Sequence, residues 1–208
     1  YHCVDEYAAF SDMPSESLLA MEAELCAMAD LVVVSAEPLR VSKSKHNPNT
    51  VLVRHGVDFD HFRKALDPAT TISAEVADLP HPIIGFFGLV ADWVDVDMMA
   101  HVAEKFPHGS LVILGKVDTD VSTLKALPNV YMLGRKPYSE LPNYCKNWDV
   151  ALMPFRINTL TLNANPLKVR EYLAAGLPVV STAIPEVEVL GVCRIASEPD
   201  AFVREVQA

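Results

Sequence analysis

Helical and extended periodicities alternate along this chain from its first residues. Tyr1 to Asp5 reads as the end of a strand running into a loop. From Ser15 to Ala29, Leu18, Leu19, Met21, Leu25, Cys26 and Met28 recur among Glu16, Glu22 and Glu24, a spacing that predicts an amphipathic helix closed by Asp30. Leu31-Val32-Val33-Val34-Ser35 is a continuous apolar run, the mark of a strand buried on both faces of a parallel sheet. A helix-like stretch from Glu37 to Lys45 leads to the breaker Asn47-Pro48-Asn49. Val51-Leu52-Val53 then reads as another buried strand, ending in Arg54-His55-Gly56-Val57-Asp58.

Between Phe62 and Pro82 the pattern turns polar and is punctuated by Asp67-Pro68, Leu79-Pro80 and His81-Pro82. The chain therefore divides into residues 1–62, a linker at 63–80 and a second domain at 81–208. In that domain strand-like runs occur at Ile83–Phe87, Ser110–Leu114, Val130–Leu133, Val150–Met153, Pro178–Ser181 and Val192–Ala196. Helical patterns fill Asp95–Phe106, Val121–Leu127, Glu140–Trp148, Leu167–Ala175 and Pro199–Val206. Such alternation means an α/β domain, a parallel sheet wrapped by helices, whose ligands bind beyond the carboxyl ends of the strands.

Composition narrows the partners. With 17 Lys and Arg against 27 Asp and Glu, the net charge of -10 excludes a broad phosphate-tracking surface, so no nucleic acid is expected. The short basic runs Arg40 to His46 and Gly134-Arg135-Lys136 read as solvated loops. Cys3, Cys26, Cys145 and Cys193 are scattered, with no CxxC pair and no nearby His spacing, so no metal site is expected and a reducing cytoplasm fits. No apolar run approaches the roughly 20 residues that span a bilayer. The absence of a starting Met and the opening on a strand end suggest a fragment.

Candidate chemistry concentrates after the run at Val150–Met153. Pro154-Phe155-Arg156 and a loop rich in Thr and Asn lead to Asn165-Pro166, which opens the helix Leu167-Lys168-Val169-Arg170-Glu171-Tyr172. Proline fits a first helical turn because its missing N–H is one of the unpaired donors there. The remaining free N–H groups and the helix dipole favour an anion. Lys168 opposes that dipole unless an anion is bound. Glu171, three residues on, shares the Lys168 face and can accept hydrogen bonds from hydroxyls such as those of a ribose. The alternative is an exposed Lys168–Glu171 ion pair worth a few tenths of a kcal/mol, on the order of other surface pairs. Context favours the anion: the helix follows the fourth strand of its domain, where a doubly wound sheet reverses direction, and ends at Ala174-Ala175-Gly176-Leu177-Pro178.

These residues resemble the GT-B glycosyltransferases that use sugar nucleotides, in particular the large retaining group called family 4 or group 1. Its signature is a Glu, seven intervening residues and a second Glu, followed by a helix ending in an Ala-Gly-Pro-like turn. Glu171 matches the second Glu, but eight positions earlier stands Asn163, so the first carboxylate is missing. The resemblance thus supports nucleotide binding more firmly than sugar handling. Asn165-Pro166-Leu167-Lys168 is similar to a bacterial polysaccharide-synthesising branch, in which the lysine takes a phosphate role. Gly85-Phe86-Phe87-Gly88-Leu89 resembles the glycine loop after the first strand, where Gly88 lets the backbone approach a diphosphate; a plain tight turn is the other reading. Gly134-Arg135 resembles the loop beside the nucleotide base, although Arg135 reads equally well as a surface cation. The Arg and Lys that many members carry after the first strand are replaced here by Val90-Ala91-Asp92-Trp93, which shifts the charge burden to Lys168 together with Arg156. Arg54 to Asp58 resembles the segment that ends the N-terminal domain, with His55 read as structural. His2, Asp5 and Glu6 then fall near the cleft.

The resemblance implies a GT-B fold: a doubly wound, parallel-sheet, Rossmann-like C-terminal donor domain at 81–208 and, at 1–62, the last elements of an N-terminal Rossmann-like acceptor domain. It implies hexosyltransferase-like transfer from a nucleoside-diphosphate sugar to an acceptor hydroxyl with retention, in cell-surface polysaccharide or glycoconjugate synthesis. The nucleotide sugar is substrate, and neither cofactor nor metal is implied. Lys168 and Glu171 are expected to carry the chemistry, and Gly88, Gly134, Arg135, Arg156, Asn163, Asn165 and Leu167 to bind the donor. The expected acceptor is a saccharide or a lipid-linked molecule, with any peripheral contact to the inner membrane face made by the N-terminal domain. A noncatalytic nucleotide-sugar-binding module shares these features, with Asn163 in its favour, and a GT-B-fold sugar-nucleotide epimerase is a second alternative. A phosphate-accepting receiver domain needs an acid pair and an Asp at particular strand ends, a set this sequence lacks. Because Tyr1 to Phe62 supplies only part of an acceptor domain, the 208-residue chain alone is expected to bind a nucleotide sugar weakly and to transfer nothing. Measurable transfer by the isolated chain in a radiolabelled-sugar assay would contradict this.

Overall fold

The computed structural model describes residues 1–11, 13 and 15–208. Two parallel sheets organise it. The smaller consists of β1 (His2–Cys3), β2 (Val32–Val34) and β3 (Thr50–Leu52), in that order. It is connected by α1 (Ser15–Met28) and α2 (Glu37–Lys43). Cys3, Cys26, Val32, Val34, Ala36 and Leu39 form its core. Helix α1 lies where the periodicity puts it, but its burial departs from the expected apolar face: Glu22 and Cys26 are buried while Leu19, Met21, Leu25 and Met28 are exposed. Charge decides this orientation. The buried Lys43 amine donates to Glu22 at 2.7 Å and to Glu6 at 3.1 Å, and the Tyr1 hydroxyl donates to Glu22 at 2.7 Å. Charges taken out of water must be paired, so the cluster holds Glu22 inward against the pull of the leucines and methionines.

Asp58 caps the single turn α3 (Phe59–Phe62), accepting from the His61 N–H at 3.0 Å. The larger sheet follows: β4 (Ile83–Phe87), β5 (Ser110–Leu114), β6 (Val130–Gly134), β7 (Val150–Met153), β8 (Val179–Ser181) and β9 (Arg194–Ile195). Their order is β6-β5-β4-β7-β8-β9 and every pair is parallel, the doubly wound arrangement. Every residue of β4, β5, β7 and β8 is buried, which explains their unbroken apolar runs. The edge strand β9 is shorter than its apolar run suggested.

The connecting helices are α4 (Val96–Lys105), α5 (Ser122–Lys125), α6 (Leu141–Cys145), α7 (Thr159–Leu162), α8 (Leu167–Ala174), α9 (Pro185–Glu188) and α10 (Pro199–Gln207). Helices α7 and α9 are single turns, too short to show a period. A reciprocal Asn158–Thr161 cap holds α7 in what the sequence presents as a polar loop. Segment 63–80 packs on the larger unit, with Ala65 and Val76 in its core beside Phe62. No helix among the described residues is long and apolar enough to cross a membrane.

The sheet reversal positions the site. Strand β4 pairs with β5 along its whole length but with β7 only at Ile84 and Gly85. Beyond that point β4 and β7 separate, and the Phe87 N–H and C=O are left on the open side. Tyr172 of α8 supplies the missing partner: its hydroxyl accepts from the Phe87 N–H at 2.9 Å and donates to the Phe87 carbonyl at 3.3 Å. The next residue, Gly88, turns at φ 136° while its N–H still bonds Leu114 at 2.8 Å. Gly115 takes φ 145°, and a β-carbon there would lie 1.8 Å from the Gly88 carbonyl oxygen. Gly115→Ala therefore combines left-handed backbone strain with a backbone clash. It should cost roughly 2–4 kcal/mol, read as a lower urea midpoint with unchanged slope.

Candidate functional site

Helix α8 begins at the mouth of the crevice. Its first-turn N–H groups receive no side-chain cap, because the residue at the cap position is Pro166. Tyr172, one turn in, is fully buried and anchors the helix to the end of β4. That anchor places Lys168 against the Gly88 turn, so closely that a β-carbon on Gly88 would come within 2.7 Å of Lys168 Cε. The ammonium lies over the rings of Phe155 and Phe86, 4.9 and 5.7 Å from their centroids, and cation–π attraction holds it there.

Burial pushes the Lys168 amine down to about 8, opposed by the Glu171 carboxylate. Burial also raises the Glu171 carboxyl, and Lys168 lowers it. No ion pair or hydrogen bond joins the two among the described residues; they act on each other through space. The exposed-pair reading therefore fails, since Glu171 is only 8% exposed and Lys168 is half-buried.

Two cavities flank this lysine. The first, of about 310 Å³, opens over the carboxyl ends of β4, β5 and β6 and is lined by Gly88, Gly115, Lys116, Arg135 and Lys136. The second, of about 290 Å³, lies between the two units: Asp5, Phe10 and His55 face Trp93, Phe155 and Lys168 across it. Gly88 lines the first and Lys168 the second. Their contact marks the junction.

Of the residues singled out in the sequence, Gly88 and Arg135 line the first cavity, and Asn165, Leu167 and Lys168 the second. Gly134 ends β6 beside the first, its carbonyl accepting from the Gly115 N–H at 2.8 Å. Asn165 is committed elsewhere, donating to the Ser35 carbonyl at 2.5 Å and accepting from Arg170 at 2.6 Å. Asn163 turns back on α7, donating to the Thr159 carbonyl at 2.7 Å. Arg156 leans toward Asp97 at 3.7 Å, so neither of these two lines either cavity.

Lys116 joins the first cavity unannounced, although it follows a strand end, where ligands of a parallel sheet bind, and Lys136, read in the sequence as part of a solvated loop, lines it too. Lys136 is already paired with Glu75 at 2.6 Å. His55, read as structural, lines the second cavity, where burial first and the Arg170 charge second hold its pKa below the usual range. Asp5 lines the same cavity with a carboxyl raised by burial. Glu186 went unnoticed; it is 1% exposed at the contact between the units. Among the described residues no group of three His, Cys, Asp or Glu side chains converges as a metal site would.

Residues 81–208 match the family model for glycosyl transferases group 1. Over 204 residues the chain is 28% identical to the putative teichuronic acid biosynthesis glycosyltransferase TuaH of Bacillus subtilis (strain 168), covering 89% of this chain and 50% of that protein. Anabaena Alr3699/HepE in complex with UDP-glucose superposes with a TM-score of 0.73 at 16% identity, over 100% of this chain and 61% of that one. An E. coli structure, trehalose-6-phosphate bound with UDP-2-fluoro glucose, superposes with a TM-score of 0.70 at 13% identity, over 99% and 57%. The chain thus spans about half the length of the curated relative it matches. At such identities the structural likeness is one of fold, and that fold is GT-B.

Burial of the Lys168 charge should cost the fold stability. Its pKa falls from 10.5 to about 8 in the native state, so the native protein binds fewer protons than the unfolded chain between those values. Stability should therefore rise with pH across that window, and below it the full penalty of the buried cation applies. Lys168→Met should stabilise the protein by about 1–3 kcal/mol at pH 7, after allowance for the lost cation–π contacts. The gain should fade by pH 10, a difference that urea midpoints at the two pH values will show.

Proposed function

The chain belongs to the glycosyl transferases group 1, and on that premise we propose that it holds a nucleoside-diphosphate sugar across its two cavities. The nucleoside occupies the cavity lined by Gly88 and Arg135, the sugar occupies the one between the units, and the diphosphate crosses at Lys168. One observation carries this reading: a half-buried cation with no counter-ion in contact among the described residues lies against the Gly88 backbone at the point where the cavities meet. A buried charge left unpaired is costly, and a diphosphate beside it would remove the cost. The uncapped first turn of α8 adds N–H donors and the positive end of a helix dipole to the same place. Glu171, buried on the same helix with no hydrogen-bond partner among the described residues, is suited to accept from ribose hydroxyls.

As the bond from the anomeric carbon to the diphosphate breaks, charge grows on the leaving oxygen. Lys168 and the α8 N–H groups are already oriented and partly desolvated for that charge, which is where fixed electrostatic groups accelerate a reaction most. Arg156 and Asn163 have no part in this scheme, being turned toward Asp97 and Thr159. Transfer with retention to a saccharide or lipid-linked acceptor in cell-surface polysaccharide synthesis belongs to the same proposal. It is supported by the resemblance of the α8 motif and by the similarity to TuaH, a putative teichuronic acid biosynthesis glycosyltransferase. The family match is to transferases, so a noncatalytic module or an epimerase has less support. A cytoplasmic location is also part of the proposal, in keeping with four free cysteines, of which Cys3, Cys26 and Cys145 are buried.

UDP is the first probe, given the UDP-glucose in the HepE structure. Isothermal titration with UDP should show Lys168→Ala binding roughly 10- to 100-fold more weakly than the parent, the range for loss of one charge-assisted contact. Equal affinities would reject the site. The pH dependence is a second check. Binding raises the Lys168 pKa above its free value of about 8, so affinity should be flat from about pH 7, where the terminal phosphate of UDP is already ionised, to pH 8 and fall above it by up to about tenfold per unit. Lys168→Arg, whose charge persists, should abolish that fall.

A further inference from the structure

A buried carboxylate of the larger unit bonds to the smaller one where the two meet. Glu186 lies in the first turn of α9, in the larger unit, and is almost completely buried. Among the described residues its hydrogen-bond donors all come from the smaller unit. One carboxylate oxygen accepts from the backbone N–H of Glu37 at 2.8 Å and the other from Arg54 Nε at 2.6 Å. Glu37 is the first residue of α2, and its cap residue, Ala36, offers no side-chain acceptor. The larger unit thus caps a helix of the smaller one, with a charge of the sign that a helix N-terminus favours.

A second point of attachment lies nearby, where the Asn165 amide donates to the Ser35 carbonyl at 2.5 Å. Both points bind the carboxyl ends of the smaller sheet: Ser35 and Glu37 follow β2, and Arg54 follows β3. Arg54 is chain neighbour to His55, and Asn165 is three residues from Lys168. His55 and Lys168 face each other across the inter-unit cavity. These two contacts bound one side of that cavity, and on the other Ser11 donates to Asp92 at 2.8 Å and Phe10 lies edge-on to Trp93.

We infer that Glu186 is a positioning residue: with Arg54 and the α2 N-terminus it forms a latch that fixes the width of the inter-unit cavity. A buried carboxylate separated from its partners is costly, so the units keep the one orientation that satisfies it. The latch leaves the first cavity untouched, because that cavity is lined by the larger unit alone. Its effect on a ligand should accordingly appear at the sugar end and not at the nucleoside end. That consequence rests on the donor reading above; the latch geometry does not.

Two variants of the 208-residue chain test the latch, Glu186→Ala and Glu186→Gln. In the absence of nucleotide, residue-resolved amide exchange by NMR should show the Glu37 N–H exchanging at least tenfold faster in the alanine variant. Glu186→Gln keeps an oxygen that can accept from Glu37, and should exchange at least threefold more slowly there than Glu186→Ala. The UDP dissociation constant of Glu186→Ala should stay within threefold of the parent, which also reports that the larger unit is folded. The affinity for UDP-glucose relative to UDP should fall at least threefold. Unchanged Glu37 exchange would overturn the latch, as would a loss of UDP affinity equal to the loss for UDP-glucose. Because exchange is measured without nucleotide, the latch stands or falls separately from the donor site tested by Lys168→Ala.

Discussion

The hydroxyl of Tyr172 fills the gap left where two strands of the larger sheet part company. Parallel strands that diverge expose backbone donors and acceptors which water cannot reach and which are costly to leave unpaired. At Phe87 both groups face the split, and one side chain satisfies both. Much else follows from that contact. It locks α8 to the end of β4, which sets the Gly88 turn beneath Lys168 and gives the two cavities a common junction. The aromatic cluster of Phe87, Trp148 and Tyr172, with ring centroids 4.5 to 6.3 Å apart, stiffens the same point from below.

Ionic groups in this molecule are handled in two ways, and the difference separates structure from site. Lys43 is buried but surrounded by Glu6 and Glu22, and Glu186 is buried but held by Arg54 and the Glu37 N–H. Those charges are satisfied by the fold and have little left to offer a ligand. Lys168 and Glu171 are largely withdrawn from water and, among the described residues, have no ion-pair or hydrogen-bond partner. Stability sacrificed at one spot, beside an otherwise well-paired framework, is the usual mark of a place where something else is meant to bind.

The smaller unit enters this picture through its strand ends. Its β-strands are short, and its helix α1 is oriented by a salt-bridge cluster in preference to an apolar stripe. What it contributes to the candidate site is a wall, formed by Asp5, Phe10 and His55, with Phe10 set edge-on against Trp93 at 5.9 Å. The wall and the larger unit define the second cavity jointly.

Most of the secondary structure, and the location of the helix that carries the candidate site, were legible in the order of residues. Buried parallel strands announce themselves as unbroken apolar runs, and Asn165-Pro166 followed by Lys168 and Glu171 marks a helix start with charge in an unusual place. Those are local signals, and they survive folding because backbone geometry and burial act over a few residues. The sequence could not show that Asn165 would be spent on Ser35, 130 positions away, or Glu186 on Glu37 at a separation of 149. Nor could it show that Asn163 and Arg156 would turn from the cavity to nearby partners, or that the leucines of α1 would yield to Glu22. Hydrogen bonds and ion pairs are short-ranged and strongly dependent on burial, so which polar side chains are free for a ligand is decided only when the whole chain has brought its distant segments together.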